Sequence, residues 1–116
     1  EIMPDMKDAR EKLAQAEASI YHKEYEYAIN EAYEAAAFAV RLPLYERLVD
    51  PFSSEEALWK FETLFVLTGE TDGEWNEISA EFDELKNSGS DHQTAQEICQ
   101  KARNLIEYIE NTSFES

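Results

Sequence analysis

Residues Glu24 to Leu42 read EYEYAINEAYEAAAFAVRL, and their apolar side chains recur at the spacing of one helix face. Alanine makes up most of that face, and small side chains let neighbouring helices approach closely. The segment therefore predicts the central helix of a bundle. Aromatic residues are expected around the edges of this helix: Tyr21, Tyr25, Tyr27, Tyr33 and Phe38.

Two prolines indicate where the first helix begins and where the central helix ends. From about Pro4, a residue suited to a first helical turn, to His22, apolar residues recur at steps of three and four, which predicts the first helix. Pro43 removes a backbone donor and disfavours helical geometry at Leu42. We therefore expect the central helix to end there, with Leu44 to Val49 forming a short helical turn.

Capping residues predict where three more helices begin. The expected starts are Ser53 with Glu56 as a capping box for the third helix, Thr71 or Asp72 for the fourth, and Ser90 with Gln93, or Asp91 alone, for the fifth. The fourth carries the apolar stripe Trp75, Ile78, Phe82 and Leu85, and the fifth carries Ala95, Ile98, Ala102, Leu105, Ile106 and Ile109. The sequence thus predicts an all-α, up-and-down antiparallel bundle of four to five helices, forming a single domain over residues 1–116.

Charge bears directly on the partners that this bundle would accept. Ten Lys and Arg residues face 26 Asp and Glu residues, a net charge of −16, so a phosphate backbone would meet a repulsive field. This argues against nucleic acid as a partner. A local basic pocket is still compatible with the total, and the candidates to meet the phosphates of a nucleotide are Arg41, Arg47 and Lys60.

The sequence lacks the residue patterns expected of a metal site, a disulfide or a membrane span. Cys99 is the single cysteine, which excludes an internal disulfide and a cysteine-based zinc site and fits a reducing cytoplasm. Neither His22 nor His92 follows a glutamate by three positions, as a di-iron bundle requires. No apolar run approaches the roughly 20 residues of a membrane span. We therefore expect no metal, no cofactor, no membrane association and no catalytic residues.

The first two predicted helices, AEASIYHKEYEYAINEAYEAAAFAVRL, resemble the opening helix pair of HEPN domains. The family pattern pairs an alanine-rich helix with a small turn at an aromatic and a second helix rich in alanine and tyrosine, and Ala28, Tyr33, Ala36 and Ala37 fit it. FETLFV at Phe61 to Val66, followed by a loop and two helices, also matches the family's order. The resemblance implies a small helical bundle that dimerises.

The same resemblance implies two further roles. The residues of this sequence argue against the first and are compatible with the second. Many HEPN proteins are toxin ribonucleases or nucleotide-binding partners of small nucleotidyltransferases, and the catalytic members carry an arginine followed closely by a histidine. None of the four arginines here has a histidine five to seven positions onward, so the acid–base pair for RNA cleavage is missing. HEPN-like domains also occur at the C-terminus of bacterial ferredoxin-type sulfite or nitrite reductases, and a chain beginning at Glu1 fits such a segment.

These observations favour a non-catalytic HEPN-like interaction domain, an appendage of a larger bacterial enzyme, whose partner is another protein or a second copy of itself as a homodimer. The alternative is a nucleotide-binding module that pairs with a nucleotidyltransferase. Ribonuclease activity is the third hypothesis, and it needs a histidine that the fold places near an arginine.

Overall fold

The all-α bundle predicted from the sequence is confirmed by the computed structural model, which describes residues 6–69 and 75–112. Its helices are α1 (Met6–Tyr21), α2 (Tyr25–Glu46), α3 (Ser54–Phe61), α4 (Ile78–Lys86) and α5 (His92–Glu110). A π-helical turn, Glu62–Val66, continues α3. Within the described ranges there is no β-strand.

The central position of α2 is also confirmed, because α2 contacts each of the other four helices. The alanines of its sequence face are fully buried among the larger side chains of those neighbours. One aromatic differs from the expectation that all of them lie at the edges. Tyr33 is fully buried, and it is accommodated because its hydroxyl donates to Asp83 Oδ1 of α4 at 3.0 Å.

The predicted end of α2 at Leu42 is wrong. The helix continues through Pro43 to Glu46, so the expected separate turn is instead the last residues of α2, its C-cap Arg47, and Leu48 and Val49 just beyond it. Pro43 costs the helix one backbone hydrogen bond, and the helix nevertheless continues because Pro43 and Leu44 are both buried in the core. The free energy gained by burying these side chains outweighs the local preference of proline against a helix.

The helix starts follow the predicted caps in two of three cases. Ser53 Oγ accepts from the Glu56 amide at 3.1 Å, and Asp91 Oδ1 accepts from the Thr94 amide at 2.7 Å. The second half of the Ser53 box differs, because the Glu56 carboxylate accepts from the Phe52 amide at 2.6 Å. Of the earlier predictions, Pro4, Thr71 and Asp72 lie outside the described residues.

The fourth helix starts later than its apolar stripe suggests, at Ile78, and Trp75 precedes it. The cap comes from another element: Glu62 Oε1, in the π-helical turn, accepts from the Ser79 amide at 3.0 Å. This carboxylate satisfies one of the amide groups that a helix N-terminus leaves without an internal acceptor. Trp75 remains buried outside the helix.

Two contacts fix the relative directions of the long helices. Arg103 of α5 forms an ion pair with Glu17 of α1, while Arg10 reaches the far end of α5, so α1 and α5 are antiparallel. The Tyr25 and His92 rings lie 5.4 Å apart in edge-to-face contact, which places the first residues of α2 and α5 at the same end of the bundle.

Candidate functional site

Two large apolar side chains project from the segment that joins α2 to α3. Leu48 is 94% exposed and Phe52 is 97% exposed, and we call this pair the apolar connection. Trp59 on α3 and Leu67 after the π-helical turn are partly exposed as well. A single exposed leucine is ordinary on a protein surface, whereas two almost fully exposed large apolar residues four positions apart make this segment a candidate interaction site.

The backbone at Leu48 is in the left-handed conformation, with φ = +61°. Its amide donates to the Tyr45 carbonyl at 2.9 Å, and the next amide, of Val49, donates to the Leu44 carbonyl at 2.9 Å. These two bonds form a Schellman motif in which Leu48 occupies the position that is usually glycine. A leucine here costs about 1–2 kcal/mol in backbone conformation. Leu48 therefore lowers the stability of the folded chain, and its side chain is exposed to solvent.

The α1 helix ends in the same motif, which provides an internal comparison. Lys23, with φ = +63°, donates to Ile20, and Glu24 donates to Ser19 at 2.8 Å. There the left-handed position holds a charged side chain, as expected at a solvated turn. Only the α2 motif presents an apolar side chain, so the backbone geometry alone does not account for the leucine.

Hydrogen bonds hold the rest of the apolar connection in place. The Phe52 amide donates to Glu56 Oε1, and the Tyr45 hydroxyl donates to Asp50 Oδ1 at 3.1 Å. Pro51 between them is buried. The two apolar side chains therefore project from a backbone that is already ordered, so binding a partner would cost little backbone entropy.

Of the three predicted phosphate-binding residues, the two arginines lie against different aromatic rings. The Arg41 guanidinium lies 5.9 Å from the centre of the Phe38 ring, and that of Arg47 lies 4.5 Å from the Phe65 ring. On a regular helix, six positions place these two arginines about 120° apart around the axis. Lys60 is half-buried near the end of α3. The cavities beside α4, beside α5 and between the ends of α2 and α5 include none of the three. Nucleotide binding by them stays a prediction.

The two histidines lie at one end of the bundle, and the arginines that face carboxylates lie elsewhere. His22 contacts the Tyr21 ring, and His92 contacts Tyr25. Arg10 and Arg103 are engaged with Glu110 and Glu17. These contacts put neither histidine against an arginine.

Cys99 is buried, as its place beside the apolar stripe of α5 predicts. Desolvation raises the pKa of its thiol to about 12, with Glu17 adding to the effect. The reactive thiolate is therefore scarce at neutral pH, and this cysteine behaves as a small core residue.

Residues 6–69 and 75–112 contain no group of three or more His, Cys, Asp or Glu side chains placed to hold a metal ion. None of the helices in these ranges has the length and apolar character needed to cross a membrane.

The apolar connection was not among the residues singled out by sequence. Leu48 and Phe52 lie in a segment where periodicity ends, so a helical pattern gives them no assigned face. A usable signal was present, because two large apolar residues flank Pro51 in a short connection where polar residues are usual. A scan against protein-family models and searches of curated proteins and of solved structures found no match to this chain.

Proposed function

We propose that this chain is a non-catalytic, HEPN-like protein-interaction domain that associates with a second copy of itself through the apolar connection. The observation that supports this most strongly is Leu48, a fully exposed leucine in a left-handed position where glycine is the favoured residue. A residue that lowers stability and exposes apolar surface is understandable if binding recovers the free energy.

The site has the composition of an interface centre. Aromatic side chains contribute about 150–250 Å² each to a buried contact, so Phe52 supplies a large share of a small interface. Leu48 adds aliphatic area beside it along the chain, and the backbone is already fixed by hydrogen bonds to Tyr45, Leu44 and Glu56. Energetic hot spots at interfaces are typically few, and a backbone that is already ordered lowers the cost of binding.

The net charge predicts how the proposed association should depend on salt concentration. Each copy carries a net charge of −16, so two copies repel each other at low ionic strength. Added salt shortens the screening length from about 10 Å at 0.1 M to about 3 Å at 1 M and removes most of that repulsion. Apolar association of this domain should therefore tighten as salt is raised.

The biological setting that we propose follows from the resemblance of residues 16–42 to HEPN helices. In that setting the domain is a cytoplasmic appendage of a larger bacterial enzyme, such as a sulfite or nitrite reductase, and brings two copies of that enzyme together. The redox cofactors would belong to the rest of such an enzyme. The open reading frame that precedes Glu1 would reveal whether a catalytic domain is attached.

The test is sedimentation of the purified chain over a concentration series at 50 mM and 500 mM NaCl. We expect a monomer–dimer equilibrium that shifts toward dimer at high salt. The variant Leu48→Asn/Phe52→Ser should be monomeric, and asparagine is chosen because it tolerates the left-handed conformation. The matched control is Tyr21→Ser, since Tyr21 is also a large exposed residue but lies before α2, whose 22 residues span about 33 Å.

A strictly monomeric wild-type chain at millimolar concentration would overturn self-association. A dimer that persists unchanged in Leu48→Asn/Phe52→Ser would overturn the assignment of the interface to the apolar connection. Equal weakening by Tyr21→Ser would mean that general surface apolarity drives the association.

A further inference from the structure

The exposed apolar residues of this chain are concentrated in one segment. Among the described residues, six large apolar or aromatic side chains are more than half exposed, and four of them fall within residues 48–67. Two of the four, Leu48 and Phe52, form the apolar connection. The other two are Trp59 on α3 and Leu67 just after the π-helical turn, which are 55% and 64% exposed. We call Trp59 and Leu67 the α3 stripe.

The α3 stripe lies on the solvent side of its helix. Buried side chains such as Leu58 and Phe65 occupy the other side, where α3 packs against α2 and α4. In a regular helix, eight positions turn about 80° past two full turns, so Trp59 and Leu67 would point in different directions. The Leu67 amide instead donates to the Glu62 carbonyl, five residues back, at 2.9 Å, and this wider turn removes much of the offset. The π-helical turn therefore brings Leu67 toward the face that Trp59 occupies.

The apolar connection alone is too small for a stable dimer. Even at about 250 Å² each, the upper end for aromatic side chains, Leu48 and Phe52 fall well short of the roughly 800 Å² that each partner contributes to a stable interface. The missing area has to come from neighbouring surface. Among the described residues, the α3 stripe is the exposed apolar surface nearest to the apolar connection along the chain.

We infer that the α3 helices of two copies pair antiparallel across a twofold axis near Trp59. Trp59 is seven positions after Phe52 and eight before Leu67, so it stands midway between them. Two identical segments that pair antiparallel bring into contact residues that are equally far from the axis on opposite sides. Phe52 of each copy then contacts Leu67 of the other copy, and the two Trp59 rings meet near the axis. Each apolar connection is thus covered by the α3 stripe of the other copy.

Charge favours the antiparallel over the parallel arrangement. Glu55 and Glu56 lie in the first turn of α3, and in a parallel pair each would face its own counterpart. In an antiparallel pair with its axis at Trp59, the two Glu55 side chains are about eight positions apart, or about 12 Å along the helices. That separation exceeds the screening length of about 8 Å at physiological salt. Antiparallel pairing therefore joins the apolar residues and keeps the acidic first turns apart.

The pairing through α3 rests on the proposed function, since its occupant is a second copy of the chain. It adds the surface that receives the apolar connection and the relative direction of the two copies. Both additions have tests of their own.

The fluorescence of Trp59 reports on the axis. The other tryptophan, Trp75, is 4% exposed, so its emission is insensitive to the association. We expect the emission of the wild-type chain at 500 mM NaCl to move to shorter wavelength as its concentration rises through the monomer–dimer transition, because Trp59 leaves water. An unchanged emission across a transition that sedimentation detects would overturn the place of Trp59 at the axis.

Matched double variants test the α3 stripe. Trp59→Ser/Leu67→Ser should raise the Kd of the dimer about tenfold or more, because the central aromatic and its neighbour are lost. Both side chains are exposed, so the fold is retained, and circular dichroism checks this. The control Tyr21→Ser/Tyr27→Ser removes two other exposed aromatic side chains, from the end of α1 and the start of α2. It should change the Kd by less than about twofold.

A mixing experiment tests the contact between Phe52 and Leu67. In an antiparallel homodimer, Phe52→Ser or Leu67→Ser damages both of these contacts, whereas a heterodimer of the two variants keeps one of them intact. An equimolar mixture should therefore contain more dimer than either variant alone at the same total concentration, as measured by sedimentation. In a parallel pair the order is reversed, because Phe52 faces Phe52 and each variant homodimer keeps one native contact.

The outcomes distinguish the pairing through α3 from the proposed function. A strictly monomeric wild-type chain would overturn both. A dimer that is lost in Leu48→Asn/Phe52→Ser but persists in Trp59→Ser/Leu67→Ser would overturn only the pairing through α3. A mixture with no more dimer than the separate variants would overturn the antiparallel direction.

Discussion

The guanidinium of Arg10, early in α1, donates to both carboxylate oxygens of Glu110, the last residue of α5, with Nε to Oε2 at 2.7 Å. These residues are 100 positions apart in the chain. The geometry is bidentate, which is the strongest arrangement of a surface ion pair. It holds the pKa of Glu110 below its ordinary value of 4.5. The first and last described helices are thereby joined at their ends.

Replacing this carboxylate should make stability less dependent on acid pH. Because the folded-state pKa of Glu110 is lowered, its contribution is present above pH 4.5 and is lost as the pH falls through the folded value. We expect Glu110→Gln to lower the free energy of unfolding by about 0.5–1 kcal/mol at pH 7. The difference from wild type should shrink toward zero as the pH falls below the lowered pKa of Glu110. Urea unfolding at several pH values measures it, with the exposed Glu11→Gln as control, and a pH-independent difference would contradict the pairing.

Tyr33 should govern stability at the alkaline end. Burial first, and then its hydrogen bond to Asp83, raise the pKa of this phenol well above 10.0, so the neutral form is favoured in the folded state. That contribution is complete below pH 10 and is lost as the pH rises toward the folded value.

We expect Tyr33→Phe to destabilise the chain by about 1–3 kcal/mol at pH 7, because the part-buried Asp83 carboxylate loses a donor. Above pH 10 the gap between wild type and variant should narrow. Thermal unfolding from pH 7 to 11 checks both points, and Tyr27→Phe, at a half-exposed position, should change neither.

The alanine face of α2 leaves no room for a larger side chain. Ala32 and Ala36 are fully buried against neighbouring helices. Enlarging either to leucine should overpack the core and destabilise it by about 1–3 kcal/mol. Denaturant midpoints measure the loss, and Ala14→Leu on the exposed side of α1 should leave the midpoint close to wild type.

Leu48 should show opposite effects on stability and on association. Leu48→Gly removes the left-handed strain and should stabilise the monomer by about 0.5–1 kcal/mol, while weakening the proposed dimer. Leu48→Ala keeps a β-carbon at φ = +61°, so it should weaken association without the gain in stability. Unfolding curves and sedimentation of the two variants separate these effects. A glycine variant that is no more stable than the alanine variant would contradict the strain at this position.

Some features of the candidate sites could be predicted from the sequence, and others could not. The burial of Cys99 and the absence of a histidine at the family's spacing were both visible in the spacing of residues. The cavity between α4 and α5 was not predictable in this way, because Trp75 precedes α4 while Glu97 lies on α5, and only packing brings the two residues together. The place of Phe52 beside Pro51 was a signal in the sequence, but the bond from its amide to Glu56 was visible only in the structure.

Periodicity and caps in the amino-acid order were enough to specify an all-α bundle, the central place of α2 and the starts at Ser53 and Asp91, because these depend on neighbours within one helical turn. The remaining features were decided by the tertiary structure. Helix α2 passes through Pro43, Tyr33 enters the core, and Glu62 caps α4, since each depends on a partner or a buried surface supplied by distant residues. Local preferences of about 1 kcal/mol yield to burial and hydrogen bonding of similar or larger size.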